Sequence, residues 1–585
     1  MASEADLMRK GLYRTETLLA TTTDDSDPLH EVSESPSDKC LFSTVYFAAQ
    51  KGIANDTVND LLNLQRYNGV DCKYVDLHSS TILSVQQSIV AVIDEEMAER
   101  RCLCNFFGIL IDESTDVAVH KSMVLYLRYL HNGRMTTDFV GNVRVSDGKA
   151  ETMVRAIEDK LGQLKVACDK VVGLASDGAS VMIGRKTGVG ARLAEKCPCL
   201  VQVHCVAHRL NLCCIDAQKQ HPYIKSLKER VNNLFTYFSR SSIRYDKLKM
   251  FQESIGEQKV KLKHAIEIRW LAMHGAVNAI HLSYGALVAT LSDDVNNSTR
   301  SASGNAKAIL DFITEYAFPA TIALLSDALK IVSDLSKKFQ EDVIDLSSVK
   351  PCVEITIAKL QAMHQHPGPC LKEFLDNVQF DVADQCCYRD AILVVVPHAN
   401  DEISQVQVFE TLKTDYIDSV VQAIRDRFKN DATGALNCFS LIEPLTSCSD
   451  DCINDCLQII ANKYGSVIDV PCLRREMIAV DALKQGCYKG YNMQKFAEVL
   501  ISRHASELPN ACKLCEIALC IPVSTAVCER GFSTQNFLKN KLRNNLNEAN
   551  LENLMKICVR SRGAGSQNFP FNSAVRHWYS QKKDD

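Results

Sequence analysis

The spacing of hydrophobic and polar positions changes several times along the chain, and these changes mark out its elements. Residues 106–212 are the most informative. Ile109, Leu110 and Ile111 run up to Asp112, and Val171, Val172, Gly173 and Leu174 run towards Asp177. Short continuous apolar runs closed by turn residues read as buried strands rather than helices. MVLYLRYL (123–130) and FVGNVRV (139–145) predict two more strands, with His131-Asn132-Gly133 as a hairpin-type connection. Ala150, Met153, Val154, Ile157, Leu161 and Leu164 recur at helical spacing, which predicts an amphipathic helix. A short helix over Val189–Lys196 and a strand in LVQVHCV (200–206) follow. Three strands, a helix, a strand, a helix and a strand predict an α/β core, a mixed five-stranded sheet covered by helices. Asp112 and Asp177 each stand at the carboxyl end of a strand, where sheets meet ligands, and so predict one shared acidic site.

Outside this block the patterning is weaker or helical. Residues 1–39 carry TTTDDSDP and SESPSD and predict a disordered acidic tail. Residues 40–100 predict a helical region, with Leu61, Leu62 and Leu64 after an Asn-Asp start and apolar positions at helical spacing over 82–93. From Asp216 onward helix dominates. A polar stretch, SDDVNNSTRSASGNA (292–306), predicts a break, followed by long periodic segments over 309–339 and 353–363. The expected organisation is a first part of the core over 101–290, a large all-α insertion over 291–500, completion of the core over 501–562 and a flexible tail over 563–585. In the penultimate block, Pro522 and Ser524 fit a helix start, and Leu551, Leu554, Met555 and Cys558 form one apolar stripe.

At 585 residues and 65.1 kDa the chain is too long for one core, and two or three domains are expected. Its 46% apolar and 23% charged residues are ordinary globular material, and the formal charge of -5 provides no general attraction to nucleic acid. No window approaches the roughly 18 apolar residues of a membrane span, and no apolar signal-peptide core opens the chain. The 25 cysteines therefore read as reduced thiols in the cytosol or nucleus. Several, among them Cys104, Cys213, Cys214, Cys520 and Cys558, lie in apolar runs, where cysteine packs as a small hydrophobe.

Five blocks occur in a fixed order: IDESTD (111–116), LASDGAS (174–180), HCVAHRLN (204–211), IRW (268–270) and PVSTAVCERGFS (522–533). In this order they resemble the hAT superfamily of DNA transposases, and more narrowly the host-domesticated proteins of the zinc finger protein 862-like group. The resemblance implies an RNase H-like core interrupted by a helical insertion, with the C-terminal block returning to the core and serving dimerisation. It implies Asp112, Asp177 and Glu529 as the carboxylates that bind divalent metal. The family's Cys-x-x-His pair falls on Cys205 and His208, and its Arg-Trp pair, associated with handling DNA ends, on Arg269 and Trp270. The amino-terminal zinc-binding DNA reader of the family has no counterpart among these blocks.

The residue chemistry supports more than one reading. Two strand-borne aspartates and a distant glutamate can hold two Mg²⁺ or Mn²⁺ ions about 4 Å apart, which activate a nucleophile and stabilise a leaving oxygen in phosphodiester cleavage. An Asp-Gly turn and a strand end account for the same aspartates without any metal. Cys205 and His208 are half a zinc set that Cys197 and Cys199 could complete; a packed thiol and a hydrogen-bonded histidine are the preferred reading. The same holds for Cys512 and Cys515 beside His504, and for Cys448, Cys452 and Cys456 on one helical face. Trp270 could stack on a base or anchor helix packing. Lys539, Lys541 and Arg543 read as a solvated linker in preference to a phosphate contact. The expected function is that of a domesticated hAT-like nuclear protein. It would dimerise through Leu551, Leu554 and Met555 and act with DNA or nuclear protein partners in transcriptional regulation, with no firm cofactor. The alternatives are an active Mg²⁺-dependent transposase or nuclease and a SUMO ligase-like modification factor.

Overall fold

The structure, a computed structural model, describes residues 35–115, 121–145, 147–265, 270–297, 300–341, 346–380, 385–395, 404–429, 434–444, 449–540, 543, 546–564 and 568–584. Strands β1 (Phe107–Thr115), β2 (Lys121–His131), β3 (Arg134–Arg144), β4 (Val171–Ser176) and β5 (Val201–His204) form one sheet in the order β3-β2-β1-β4-β5. β1, β2 and β3 pair antiparallel, whereas β1–β4 and β4–β5 are parallel, so the sheet is mixed as the apolar runs predict. Between β2 and β3, His131 pairs with Arg134, and Asn132 and Gly133 turn the chain with φ of 50° and 71°. Positive φ at both central residues matches the turn to the strand twist, which is why Asn-Gly serves there.

The two sheet faces are covered by distant parts of the chain. On one face Ile109, Ile111, Met123, Leu125 and Leu127 pack with Met153, Ile157 and Leu161 of the helix Ala150–Gln163 and with Leu193 of Val189–Lys196. The other face receives residues 509–538. Gly108 and Gly173 pair directly across β1 and β4. A Cβ on Gly108 would collide with the Cys520 carbonyl oxygen and lie 2.8 Å from Pro522 Cδ. One on Gly173 would lie 2.7 Å from the same Cδ and 2.9 Å from Ile521 Cα. With no side chain at either position, residues 520–522 lie flat on the sheet. Arg128 Nε donates to the Leu519 carbonyl at 3.0 Å, and the Cys520 thiol donates to the Phe106 carbonyl at 3.4 Å. Phe106, Val172, Val201 and Val203 then share an apolar core with residues 438–521, including Leu514, Ile517 and Ile521.

The helical part divides differently from the expected boundaries at 290 and 500. One continuous apolar core runs from Cys205 to Ile424, and Val523 of the returning segment joins it. The polar stretch 292–306 is largely helical, because the helices Tyr284–Asn297 and Arg300–Ile313 cover it and bury Leu291, Asp294 and Ala306. Nor is the insertion purely helical. Gln379–Phe380, Cys386–Tyr388 and Ala391–Leu393 make a small antiparallel sheet, turned by Arg389 and Asp390 with φ of 47° and 63°.

Contact density separates residues 1–92 with 564–585 from residues 93–563. In the smaller unit, the helix Pro36–Gln50 starts inside the stretch expected to be a tail. The Ser35 side chain accepts the Asp38 N–H at 3.1 Å, and Pro36 takes the first turn. The expected flexible tail over 563–585 is corrected as well, since Phe571–Asp584 is a helix. Its Trp578 is 2% exposed, donates to Ser84 Oγ at 2.8 Å and meets the Phe42 ring edge-on at 5.8 Å. Ala574 and Val575 are buried beside it, and Phe571 meets the Tyr46 ring at 5.7 Å, so the apolar positions of this short helix fall at helical spacing. Residues 1–34 lie outside the described residues.

Gly108→Ala and Gly173→Ala should each destabilise the protein by about 1–3 kcal/mol or more, the usual cost of overpacking. Gly162→Ala, on a helix with nothing within 4 Å of the new methyl, should stabilise by about 0.5–1 kcal/mol. Thermal unfolding of the three variants checks this, and equal melting temperatures for all three would remove the role given to the glycine pair.

Candidate active site at the sheet rim

β1 alternates its faces with period two, so Gly108, Leu110 and Asp112 share the face that the returning segment covers. Asp112 stands opposite Val124 near the end of β1, and Asp177 directly follows β4. Glu529 lies in the first turn of the helix Ala526–Leu538, where the partial positive charge of a helix start favours an acid. Asp112 Oδ1 accepts the Glu113 N–H at 3.0 Å, and Asp177 Oδ1 accepts the Ala179 N–H at 3.2 Å. The half-buried Asp112 carboxyl is pushed up to about 7, by burial first and then by the negative charges of Asp177 and, more weakly, Glu529. Burial and like charge both disfavour ionisation. The three carboxylates therefore lie in one electrostatic neighbourhood. Glu113, next along β1, turns to an ion pair with Lys121 at 3.3 Å.

One junction holds both flanks of this rim. At the end of β5 the Cys205 N–H donates to the Ser176 carbonyl at 2.9 Å, which fixes the strand end before Asp177. The Val206 N–H donates to the Val523 carbonyl at 3.0 Å, and the Thr525 N–H donates to Cys205 Sγ at 3.2 Å, which fixes the approach to the Glu529 helix. His208 lies one turn on, its ring 5.6 Å from that of His204. His204 is pulled down to about 4, by burial first and then by His208, Arg209 and Arg427, so it is neutral at pH 7. A Cβ on Gly178 would sit 2.5 Å from the His204 ring; glycine lets the Asp177 loop close against it. Beside Glu529 the fully buried Cys528 thiol is kept protonated, by burial first and then by the charge of Asp112. His204 and Cys528 were not singled out from sequence. The motif HCVAH and the Cys-Glu pair were the only signals, and neither shows which way its side chain points.

Among the described residues, no group of three or more His, Cys, Asp or Glu is gathered closely enough to hold a metal ion. The carboxylates at the rim act on one another through their fields and do not form a closed cage. As a donor set they suit a hard divalent cation such as Mg²⁺ or Mn²⁺, which takes carboxylate oxygens and would offset the mutual repulsion. The other cysteines are engaged elsewhere. Cys197 is buried and its thiol is pushed up to about 12, by burial first and then by the neighbouring Cys168, and Cys199 Sγ lies 3.7 Å from Ser466 Oγ; neither is gathered with Cys205 and His208. Cys512 donates to the Leu500 carbonyl at 3.4 Å, Cys515 is buried, and His504 Nε2 meets the Tyr488 hydroxyl at 3.1 Å. Cys456 is buried, Cys452 is half-buried, and Cys448 lies outside the described residues. Trp270 opens the helix Trp270–Leu282, but its side chain, like Arg269 and Lys541, lies outside them too. Lys539 is buried and Arg543 half-buried, which corrects the reading of that stretch as a solvated linker.

The expected dimer face also needs correction. Leu551, Leu554 and Met555, on the helix Glu548–Ala564, are 3%, 1% and 0% exposed in the single chain. Ion pairs fix this helix in its own chain: Lys556 to Asp94 at 2.8 Å, Arg560 to Glu96 at 3.0 Å and Glu552 to Lys160 at 3.1 Å. Glu552 also accepts the Asn142 N–H at 3.1 Å. An apolar stripe shows that a helix packs, but not on what.

The Asp112 shift has a defined sign. Its raised folded value means the stabilising contribution is present below about pH 4 and is lost as the pH climbs through about 7. Asp112→Asn should therefore raise the melting temperature, and its advantage over the unsubstituted chain should grow from pH 4 to pH 8. An advantage that does not vary with pH would refute the repulsion. Leu554→Ala should cost about 2–5 kcal/mol as a core cavity, visible as a lower melting temperature at any protein concentration. A loss confined to dilute samples would return this residue to a dimer face.

Two regions of the chain match known families. Residues 65–188, which hold Asp112 and Asp177, match the ZMYM1/FAM200 RNase-like domain. Residues 494–561, which hold Glu529, match the hAT family C-terminal dimerisation region. The chain is 21% identical over 500 residues to the mouse protein called 52 kDa repressor of the inhibitor of the protein kinase, covering 78% of this chain and 62% of that one. The human protein of the same name is 22% identical over 493 residues, with the same shares covered. The chain thus spans about three fifths of the length of these curated relatives. The matches to an RNase-like domain and to a hAT dimerisation region, both packed about one mixed sheet, support a hAT-derived origin for the chain.

Proposed function

We propose that the protein is a domesticated hAT transposase-like regulator, working as a homodimer in the nucleus on DNA or DNA-associated proteins and no longer transposing DNA. The observation that carries this reading is the match of residues 494–561 to the hAT dimerisation region in a chain whose relatives are named as a repressor. The net charge of -5 supports action through a partner or a local basic surface rather than strong autonomous DNA binding. With Leu551, Leu554 and Met555 buried in their own chain, the contact between copies falls to other surfaces of that region. Sedimentation at micromolar concentration should give a dimer, and tethering the chain to a reporter promoter should lower its output. A monomer that leaves the reporter unchanged would end the proposal.

A second reading, metal-dependent phosphodiester chemistry, draws on the electrostatic coupling of Asp112, Asp177 and Glu529. Asp112 and Asp177 at the strand ends, with Glu529 from the returning helix, would hold the Mg²⁺ or Mn²⁺. A bound divalent cation supplies charge neutralisation and activation of an oxygen nucleophile. The protein's own part is to aim the Asp177 loop with neutral His204 and to anchor the Glu529 helix through Cys205. Titration calorimetry with Mg²⁺ and Mn²⁺ should show binding that the Asp112→Asn, Asp177→Asn double variant loses. Equal, negligible heats for both proteins would leave the regulatory reading alone.

A further inference from the structure

β3 is the outermost strand on its side of the sheet and pairs with β2 alone, so its far edge meets no other described strand. The hairpin decides which backbone groups point along that edge. A two-residue loop makes its flanking pair, His131 and Arg134, the hydrogen-bonded kind, and bonded and unbonded pairs alternate from there. Arg134, Thr136 and Asp138 therefore turn their N–H and C=O towards β2, whereas Met135 and Thr137 turn theirs outward. Contacts on the far side of Val140, where the register shifts, follow the same alternation along β2. The Val145 N–H donates inward to the Lys121 carbonyl at 3.0 Å, and Asn142, opposite Val124, donates outward to Glu552 at 3.1 Å.

The edge is guarded over one half and open over the other. Beyond Phe139 it carries the register shift, the Lys160 side chain lying over Gly141, Glu552 on the Asn142 N–H, and Glu548 paired with Arg144 at 3.3 Å. Bulges and charged side chains are the usual means of keeping an edge strand from pairing. Residues 134–138, Arg-Met-Thr-Thr-Asp, carry neither bulge, proline nor lysine, and Arg134 and Thr137 are exposed. A regular open edge is a template for a further strand. The stretch is its own complement when run antiparallel about Thr136. Met135 then lies opposite Thr137 of the second copy, a pair whose N–H and C=O groups all face across the junction. Thr136 meets its own equivalent, and Arg134 lies opposite Asp138 as an unbonded pair, the kind that brings side chains closest. Arg134 has no ion-pair partner among the described residues. Asp138 is held by Arg100 at 3.1 Å and by the Tyr129 hydroxyl, and a carboxylate has room for about four donors. The helix Glu548–Ala564, from the region that matches the dimerisation family, flanks the guarded half. A copy seated on the open half continues that surface.

We propose that residues 134–138 of β3 pair antiparallel with the same residues of a second copy, joining two five-stranded sheets into one across a two-fold axis. The contact is isologous, so each copy gives and receives the same hydrogen bonds and the same Arg134–Asp138 pair. It rests on the homodimer reading and names the surface that carries it.

Sedimentation equilibrium of the full chain gives the dimer dissociation constant, and two variants test the edge. Thr137→Pro places a ring where the outward N–H stood and leaves the bonds to β2 intact, a substitution that edge strands accept. It should weaken dimerisation tenfold or more. Arg134→Glu sets a second acid against Asp138 and should weaken it tenfold or more in dilute buffer, and less in high salt. Circular dichroism checks that each variant folds, and if one does not, the other decides. A dimer that the folded variants keep at unchanged strength overturns the proposal. It would leave the homodimer reading standing on another surface and the open edge to a strand from another protein. An unsubstituted chain that stays monomeric overturns both.

Discussion

The contact on which the rest of the structure depends is the close approach of residues 520–522 to Gly108 and Gly173. A chain segment can lie directly on a sheet only where the sheet has no side chains beneath it. Here two glycines on adjacent parallel strands remove them at the same level. Everything after Pro522 follows from that seating, because the Glu529 helix starts only four residues later and has little freedom to go elsewhere. The Leu519 carbonyl on Arg128 and the Cys520 thiol on the Phe106 carbonyl tie the same segment from both sides.

That seating brings together groups that resist being together. Asp112 is half-buried near two other carboxylates, and the surrounding junction of Cys205, Ser176, Val523 and Thr525 keeps the rim from spreading apart. The arrangement costs stability at neutral pH, and fold elements far from the rim must offset the cost. Perturbed carboxylates in a fixed frame are a mark of sites built for a positively charged partner, although structural networks perturb such groups as well. On the same face, a short way along β2, Arg128, Arg530 and Arg562 line a cavity under the Glu529 helix. The rim and the cavity share one helix, on which Glu529 and Arg530 are neighbours.

The C-terminal helices have two tasks, and the structure separates them. Residues 509–538 complete the sheet face, and the helix Glu548–Ala564 is tied by Lys556, Arg560 and Glu552 to residues of its own chain. A region that matches a dimerisation family therefore spends its most apolar stripe inside one protomer. In the proposed homodimer, contact with a second copy would fall to its outer surfaces.

Much of this was legible in the order of residues. Ile109–Ile111 and Val171–Leu174 show strands because continuous apolar runs of that length are buried on both sides, and Asn132-Gly133 shows a turn because few other pairs accept two positive φ values. Local chemistry of this kind is carried by adjacent residues. The polar stretch 292–306 misled, because its few apolar positions sit at helical spacing among many polar ones, and burial of Leu291 and Ala306 outweighs composition. The C-terminal residues misled because the helix Phe571–Asp584 is short, and its few apolar positions, Phe571, Ala574, Val575 and Trp578, stand among polar residues whose composition suggests a tail. Only the tertiary structure decided that Gly108 and Gly173 form a seat, that His204 backs the Asp177 loop, and that Leu554 is buried in its own chain. Each depends on partners scores or hundreds of residues apart, and a periodic pattern records that a face is covered without recording what covers it.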